Sequence, residues 1–542
     1  MFRLAGALLA ARRLALRGAL VPVLTVVVVL TVVVGCGGPG PSSAPVIGAD
    51  VVVRTAGGQL RGTVEQNRRS FAGIRYAAAP VGPLRWAPPG AAPGWSGVRD
   101  ATRPGPRCPQ APASATDDPS TSEDCLYLNV STPLDTSTTH PVLLWIHGGG
   151  FVGGSGDRYD PTRLVTEGNL VVVTINYRLG ALGFLAHPAL AHDGQVGNFG
   201  LLDQQAAMRW VRDNIGAFGG DPNRVTLAGE SAGAMSVCDQ LASPASAGLF
   251  QAAIIQSGPC QAQQNARAAE RVSLDYAAAL GCPDPPAAAA CLRAVPVARL
   301  VAPLSYYSLA GFGMPGPVTG GALLPTDPLT AMANGTAAKV PVLLGSTHDE
   351  FRFFLAQGYE ATKRTVSPAT YPGLVGETFP AAPSDAVLRQ YPPSRFGNSA
   401  PLAFAATVTD SAFACITGNI GNSMSRTAPV YAYEFADPNA PMPGGFVGTP
   451  FPLGAAHSFE LPYLFGMSGR ELNPAQRQLA DQMVGYWARF VNTGNPNGPG
   501  QPEWPRYQPN GPVLSLAPNA TKAIGNFAED HQCAFWNAAP RR

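Results

Sequence analysis

The sequence predicts an α/β fold with a large, mostly parallel central sheet flanked by helices, and two observations carry that prediction. Short runs that are aliphatic or β-branched at every position, not alternating, recur along the chain, as strands covered on both faces require. Stretches of helical period lie between them, and alternating strand and helix is the pattern of a parallel sheet. The strand candidates are, in order, residues 141–146 (PVLLWI), 170–175 (LVVVTI), 224–228 (RVTLA), 252–256 (AAIIQ) and 340–344 (VPVLL). The clearest helix is residues 200–214 (GLLDQQAAMRWVRDN), where Leu201, Met208 and Val211 share one face and Asp213-Asn214 precede a Gly-rich break.

Composition bounds the rest. Of 542 residues, 46% are hydrophobic and 13% charged, enough for a substantial core, while 61 Gly and 54 Pro without a collagen period imply many loops. No internal repeat and no long linker follows residue 50, so one catalytic domain over residues 49–542 is expected. The first 35 residues hold Arg3, Arg12, Arg13 and Arg17, no acid, and then an apolar run, the order of an export signal. Taking those four charges from the formal +2 leaves −2, so the remaining chain offers no basic field for nucleic acid. The run ends in Val33-Val34-Gly35-Cys36, which is similar to a bacterial lipobox and marks Cys36 for lipidation. Residues 36–48, rich in Gly, Pro and Ser, would then be a tether from a membrane-held lipid. An exported location, as envelope lipoprotein or secreted protein, also fits the eight cysteines that remain, an even number suited to disulfides.

The chemistry centres on RVTLAGESAGAMSV, residues 224–237, with Ser231 in a G-x-S-x-G pattern. The pattern alone is weak, but here a strand precedes it, Gly229 and Gly233 flank the serine, and helix-compatible residues follow, which is the context of a nucleophile elbow. A serine nucleophile needs a base and an orienting acid, and in α/β-hydrolases the acid and then the histidine follow the serine along the chain. Of seven histidines only His348, His457 and His531 follow Ser231, and the acid is Asp349 or Glu350 in the loop GSTHDE. His348 precedes both acids, which leaves His457, after the small-residue turn Gly454-Ala455-Ala456, or His531, whose place beside Cys533 reads as structural. His147-Gly148-Gly149-Gly150 after strand 141–146 has the form of an oxyanion loop. The same glycines spell G-x-G-x-x-G with Glu167 downstream, yet the chain continues FVGGSGDRYDP, which opposes the helix a dinucleotide site needs.

Taken together with FAGIRYAAAPVGPLRW, SEDCLYLNV, NYRLGALGFL and HSFELPYLFG, these motifs stand in the order of the type-B carboxylesterases, which the chain resembles from about residue 50 to its end. The resemblance implies an α/β-hydrolase fold and ester hydrolysis by Ser231, Glu350 and His457, with Gly149, Gly150 and Ala232 as oxyanion donors. It also implies supporting roles for Glu230 beside the nucleophile and Ser257 behind it. Family disulfides map onto Cys108 with Cys125, Cys282 with Cys291, and Cys415 with Cys533; Cys238 and Cys260 remain and are inferred to pair. Family ion pairs map onto Arg85 with Glu123 and Arg178 with Asp203. Arg75 stands where the family commonly has Pro, and Phe351 where it has Gly after the acid. The first disulfide loop holds no aromatic residue, so no choline preference is expected. The expected substrate is a small-molecule ester, with no metal or cofactor. Alternatives are a lipase or polyester hydrolase acting on insoluble substrate, and a non-catalytic binding protein of the same fold. As base, His457 must be neutral, and an ordinary histidine would place the acid limb of activity at about pH 6 to 7.

Overall fold

A computed structural model describes residues 51–111, 120–192, 195–301, 307–309, 312–314, 316–442, 446, 448–467 and 471–539. The expected export signal, the tether and Cys36 lie outside them. The main sheet has 13 strands. In chain order they are Val51–Thr55 (β1), Gly58–Glu65 (β2), Arg68–Arg75 (β3), Val98–Asp100 (β4), Tyr127–Pro133 (β5), His140–Ile146 (β6), Val171–Ile175 (β7), Gly220–Glu230 (β8), Ala252–Gln256 (β9), Val342–Thr347 (β10), Val430–Phe435 (β11), Val513–Leu516 (β12) and Lys522–Ile524 (β13). Across the sheet they run β1-β2-β3-β5-β7-β6-β8-β9-β10-β11-β12-β13, with β4 paired to β2.

From β7 to β12 every pairing is parallel, while β1, β2, β3, β5 and β7 pair antiparallel and β13 closes the far edge antiparallel. The parallel part holds the strands that the apolar runs predicted. Every residue of β6, β7, β9 and β10 is buried, because helices cover both faces of this region and a polar side chain there would lose its water without a partner. One core layer joins Val142, Leu144, Ile146 and Leu227, and the other joins Leu143, Trp145, Ile254 and Trp487 across the sheet.

The helix expected over residues 200–214 is Phe199–Asn214 (α1), and Ala232–Ala242 (α2) follows β8. A buried ladder of amides and hydroxyls locks these two together: Gln204 donates to Ser236 Oγ at 2.9 Å, Gln205 to Gln240 at 3.0 Å, and Gln240 to Gln204 at 3.0 Å. Satisfied buried polar groups fix relative position, because any slippage strands a donor. The start of α2 is thereby held in place.

The four expected disulfides are present: Cys108–Cys125, Cys238–Cys260, Cys282–Cys291 and Cys415–Cys533. The last spans 118 residues and ties the chain end back to a core helix. Both expected ion pairs form in two-pronged geometry, Arg85 to Glu123 at 2.6 and 2.5 Å and Arg178 to Asp203 at 2.8 and 2.7 Å. Asp203 also accepts the Arg178 backbone N–H at 3.0 Å, so this fully buried pair keeps all its charge partnered. Arg75, in the family's Pro position, takes a place of its own and bonds Asp124 at 2.5 and 2.6 Å.

Candidate active site

β8 ends at Glu230, α2 begins at Ala232, and Ser231 between them has φ 57° and ψ −123°. A side-chain-bearing residue occupies that region only when its surroundings hold it there. Two such contacts are its own N–H, which donates to Gln256 O at 2.9 Å, and its carbonyl, which accepts Met235 N–H at 2.9 Å. The flanking glycines are sterically required: a Cβ on Gly229 would lie 2.5 Å from the Gly233 carbonyl carbon, and one on Gly233 only 2.0 Å from Ile146 O. Gly233→Ala is therefore expected to lower stability by at least about 1 to 3 kcal/mol, the usual cost of overpacking, and to disorder the elbow. Thermal unfolding of the purified variant checks this.

The glycine loop lies directly against the elbow. A Cβ on Gly148 would come 3.0 Å from Ser231 Cβ and 2.7 Å from Glu230 Oε2. Gly149 and Gly150 have φ of 106° and 61°, and Gly149 O closes the turn by accepting Val152 and Gly153 N–H at 3.0 and 3.1 Å. Positive φ at both positions is backbone that glycine adopts without steric cost. Ala232 is the first residue of α2, so its N–H is among the four that a helix leaves without an internal acceptor. His147 braces the loop. Burial holds it down to a pKa of about 4, so it is neutral; its ring stacks on Tyr177 at 4.5 Å, and its Nδ1 donates to Gly148 O at 2.8 Å.

The candidate acids and bases have different surroundings. Glu350, fully buried, lies 2.5 Å from His457 Nδ1 through Oε2 and accepts the Thr347 N–H at 2.7 Å through Oε1. Asp349 is engaged elsewhere, accepting Ala455 N–H at 3.0 Å and pairing with Arg352 at 2.7 Å, and so pins the loop that carries His457. His531 is engaged elsewhere, held between Asp410 and Glu434. Phe351 does not break the turn: it opens the helix Phe351–Thr362 (α3), is buried, and donates its N–H to Thr409 Oγ1 at 3.0 Å.

His457 Nε2 comes 3.2 Å from Glu230 Oε1 without making a hydrogen bond among the described residues. Burial alone would lower the imidazole pKa, but the Glu230 and Glu350 carboxylates outweigh it and push it up to about 9. The ring pKa thus lies above the ordinary histidine value, since sequence reading could not count the carboxylates that fold around it. If His457 serves as the base, only its neutral form is competent, and a raised pKa would make activity fall as pH drops from the alkaline side. Glu230→Gln removes the largest raising charge, and its acid limb is expected roughly one to two pH units lower. A kcat/KM profile from pH 5 to 10 measures that shift.

Ser257 stands at the end of β9 with φ 53° and its N–H on Gly345 O at 2.8 Å, while its Oγ has no partner among the described residues. Glu230 is buried, which raises its pKa, and accepts the Ser458 hydroxyl at 2.5 Å. Sequence reasoning missed Glu460, three residues past His457 in HSFE. Burial and the charges of Glu230 and Glu350 push it up to about 8, so it holds a proton at neutral pH. Gln256 links it to the elbow, donating to Glu460 at 3.0 Å and accepting from Trp487 Nε1 at 2.9 Å, while its carbonyl holds Ser231 N–H. Three phenyl rings surround the imidazole, Phe354 at 4.9 Å, Phe413 at 5.4 Å and Phe353 at 5.9 Å.

Comparison with known proteins shows the family. The profile described as "Carboxylesterase family" matches residues 49–536. The chain is 36% identical over 477 residues to para-nitrobenzyl esterase of Bacillus subtilis (84% of this chain, 92% of the relative). It is 35% identical to fumonisin B1 esterase of Sphingopyxis macrogoltabida (88% of each chain) and 34% to human cocaine esterase (87% of each). With a mostly parallel sheet flanked by helices and a match that runs nearly end to end, this α/β-hydrolase is a carboxylic ester hydrolase and belongs to the carboxylesterase family.

Proposed function

We propose that the chain hydrolyses esters of small organic molecules through an acyl-enzyme on Ser231. In this reading Ser231 Oγ attacks the ester carbonyl carbon while His457 Nε2 takes its proton. The oxyanion that forms accepts hydrogen bonds from the N–H groups of Gly149, Gly150 and Ala232. Collapse breaks the bond to the alkoxy oxygen, which leaves as alcohol with the proton from His457. Water then attacks the acyl-enzyme by the same route, releasing the carboxylic acid and restoring Ser231. Glu350 keeps the imidazole proton on Nδ1 and stabilises the imidazolium.

The observation that carries this reading is one buried histidine with Glu350 at 2.5 Å on Nδ1 and its other nitrogen, without a hydrogen bond among the described residues, beside Glu230, the residue before a strained serine. Relatives named for p-nitrobenzyl, cocaine and fumonisin esters support small-molecule substrates. The test is a series of p-nitrophenyl esters of increasing acyl length with Ser231→Ala as control. Turnover by the wild type alone, greatest on short soluble chains, is expected; equal rates in both proteins would overturn the proposal, and a maximum only on long, aggregated chains would move it to a lipase. The four disulfides suit export, and we place the mature chain on the envelope through lipid at Cys36, which labelling with radioactive palmitate in a Cys36→Ser comparison checks.

A further inference from the structure

Another buried histidine, outside the proposed triad, lies near the C-terminal end of the described residues. His531 is 3% exposed, and each of its ring nitrogens meets a carboxylate: Nδ1 lies 2.6 Å from Asp410 Oδ1 and Nε2 lies 2.6 Å from Glu434 Oε1. Asp410 is an acceptor on both oxygens, because Tyr391 donates its hydroxyl to Oδ2 at 2.7 Å and itself accepts Trp536 Nε1 at 2.7 Å. A neutral imidazole donates from one nitrogen only. With Nδ1 donating to Asp410, a charged Glu434 needs a second N–H on Nε2.

The two carboxylates belong to the two segments that frame the site. Asp410 begins the π-helical turn Asp410–Ala414, a rare feature that concentrates at functional positions. The preceding Thr409 holds the N–H of Phe351, next to Glu350, and Phe413 in the turn places its ring 5.4 Å from that of His457. Glu434 lies on β11 opposite Ser346 of β10, and the next residue, Phe435, accepts the His348 N–H at 2.9 Å. β10 runs straight into Thr347, whose N–H binds Glu350. The Cys415–Cys533 disulfide fixes the same chain end two residues away.

We propose that His531 is a positioning residue, a buried imidazolium that clamps the chain end onto the π-turn and β11 and so holds the frame around Glu350 and His457. The part concerning those two residues rests on the triad reading above. When the ring loses a proton, Glu434 loses its donor inside the protein, and the clamp opens or the carboxylate takes up a proton. The charged groups around the ring are Asp410, Glu434 and Asp530, with His348 at 5.6 Å between centroids, Asp349 hydrogen-bonded to His348, the Tyr391 phenol on Asp410, and Arg395 acting on Asp530 and Tyr391. Burial pulls the His531 pKa down, but Asp410 and Glu434 reverse this and raise it from the usual 6.5 to about 10. A histidine raised on folding contributes stability that is complete below the unfolded pKa and lost as pH rises through the folded one. The clamp is therefore full below about pH 6.5 and fades toward about pH 10.

Glu434→Gln separates this from passive packing, because its amide donates to a neutral Nε2 and leaves nothing to lose at high pH. The measurements are the unfolding temperature and kcat/KM on a p-nitrophenyl ester, each from pH 6 to 10, and the ring-carbon NMR signals of the seven histidines, that of His531 being the one missing in His531→Gln. Wild type is expected to lose unfolding temperature across the alkaline range and, since the His457 limb raises activity there in both proteins, to lose kcat/KM relative to Glu434→Gln at the same pH; the variant is expected to avoid at least half of the loss in unfolding temperature, and the His531 signal to titrate above pH 8. Superimposable alkaline profiles, or a His531 signal titrating near 6.5 beside a protonated Glu434, would overturn the proposal. If Glu434→Gln does not fold, the wild-type NMR titration decides alone. Unfolding and NMR repeated in Ser231→Ala need no activity, so they test the clamp even if the triad reading fails; an alkaline loss of unfolding temperature with the wild-type to Glu434→Gln ratio of kcat/KM constant across pH would overturn the positioning role.

Discussion

Replacing Ser231 by Ala is expected to lower kcat/KM on p-nitrophenyl esters on the order of 10⁵- to 10⁶-fold, with unfolding temperature nearly unchanged. The size follows from what is removed. Without Oγ no acyl-enzyme forms, and His457 has no proton to take in the attacking step; losing the serine of a comparable triad costs about as much as losing all its members. The residual rate would come from substrate binding and the N–H groups of Gly149, Gly150 and Ala232 acting on direct attack by water. Stability is spared because Ser231 is held through its backbone, with N–H on Gln256 O and carbonyl on Met235 N–H, and Ala keeps both bonds. A variant that lost activity only by unfolding would show it in the melting curve.

Glu350→Gln is expected to lower kcat about 10⁴-fold, as when the corresponding carboxylate of a serine protease becomes an amide. The amide keeps size and one acceptor, but it can present its NH₂ to His457 Nδ1 and drive the ring into the tautomer with the proton on Nε2, where it cannot act as base. The loss should fall on kcat, with KM changed by less than about 10-fold, since Glu350 is fully buried and 2.5 Å from the histidine. Asp349→Asn is the contrasting variant. Its carboxylate anchors the Ala455 N–H and Arg352, so stability should drop by about 1 kcal/mol while kcat stays within about 10-fold. Steady-state kinetics on the pair distinguishes the two adjacent acids, which sequence order alone left tied.

How far the sequence foretold this arrangement depended on whether a feature was local. Strands β6 to β10 were legible because a strand buried on both faces must be apolar throughout, as VVVTI and AAIIQ are. Strands β1 to β5 went unseen. Their burial is mixed, as in the pattern ieieB of β1, and partners such as Arg68 and Arg69 in β3 read as loop until their guanidiniums are found bonded to Ser131, Thr132 and Pro133. β11 hid a different way: VYAYEF carries Glu434, which opposes a core strand unless a cation 97 residues downstream is known to meet it. The elbow was legible because its glycines act on neighbours in sequence. Glu460 was not, since a glutamate three residues from a histidine acquires meaning only once Glu230 and Glu350, 230 and 110 residues upstream, are folded against it. The same long-range convergence raises the pKa of His457.

The most direct test of the central claim is covalent capture of the nucleophile. Diethyl p-nitrophenyl phosphate, an ester analogue whose adduct hydrolyses slowly, would be incubated with wild type and Ser231→Ala at pH 8, followed by peptide mass mapping. The account predicts release of one equivalent of p-nitrophenol, complete loss of esterase activity, a diethylphosphoryl mass increment confined to the peptide bearing Ser231, and none of these in the variant. Stoichiometric labelling of another residue with loss of activity, or full activity retained with no label on Ser231, would contradict it.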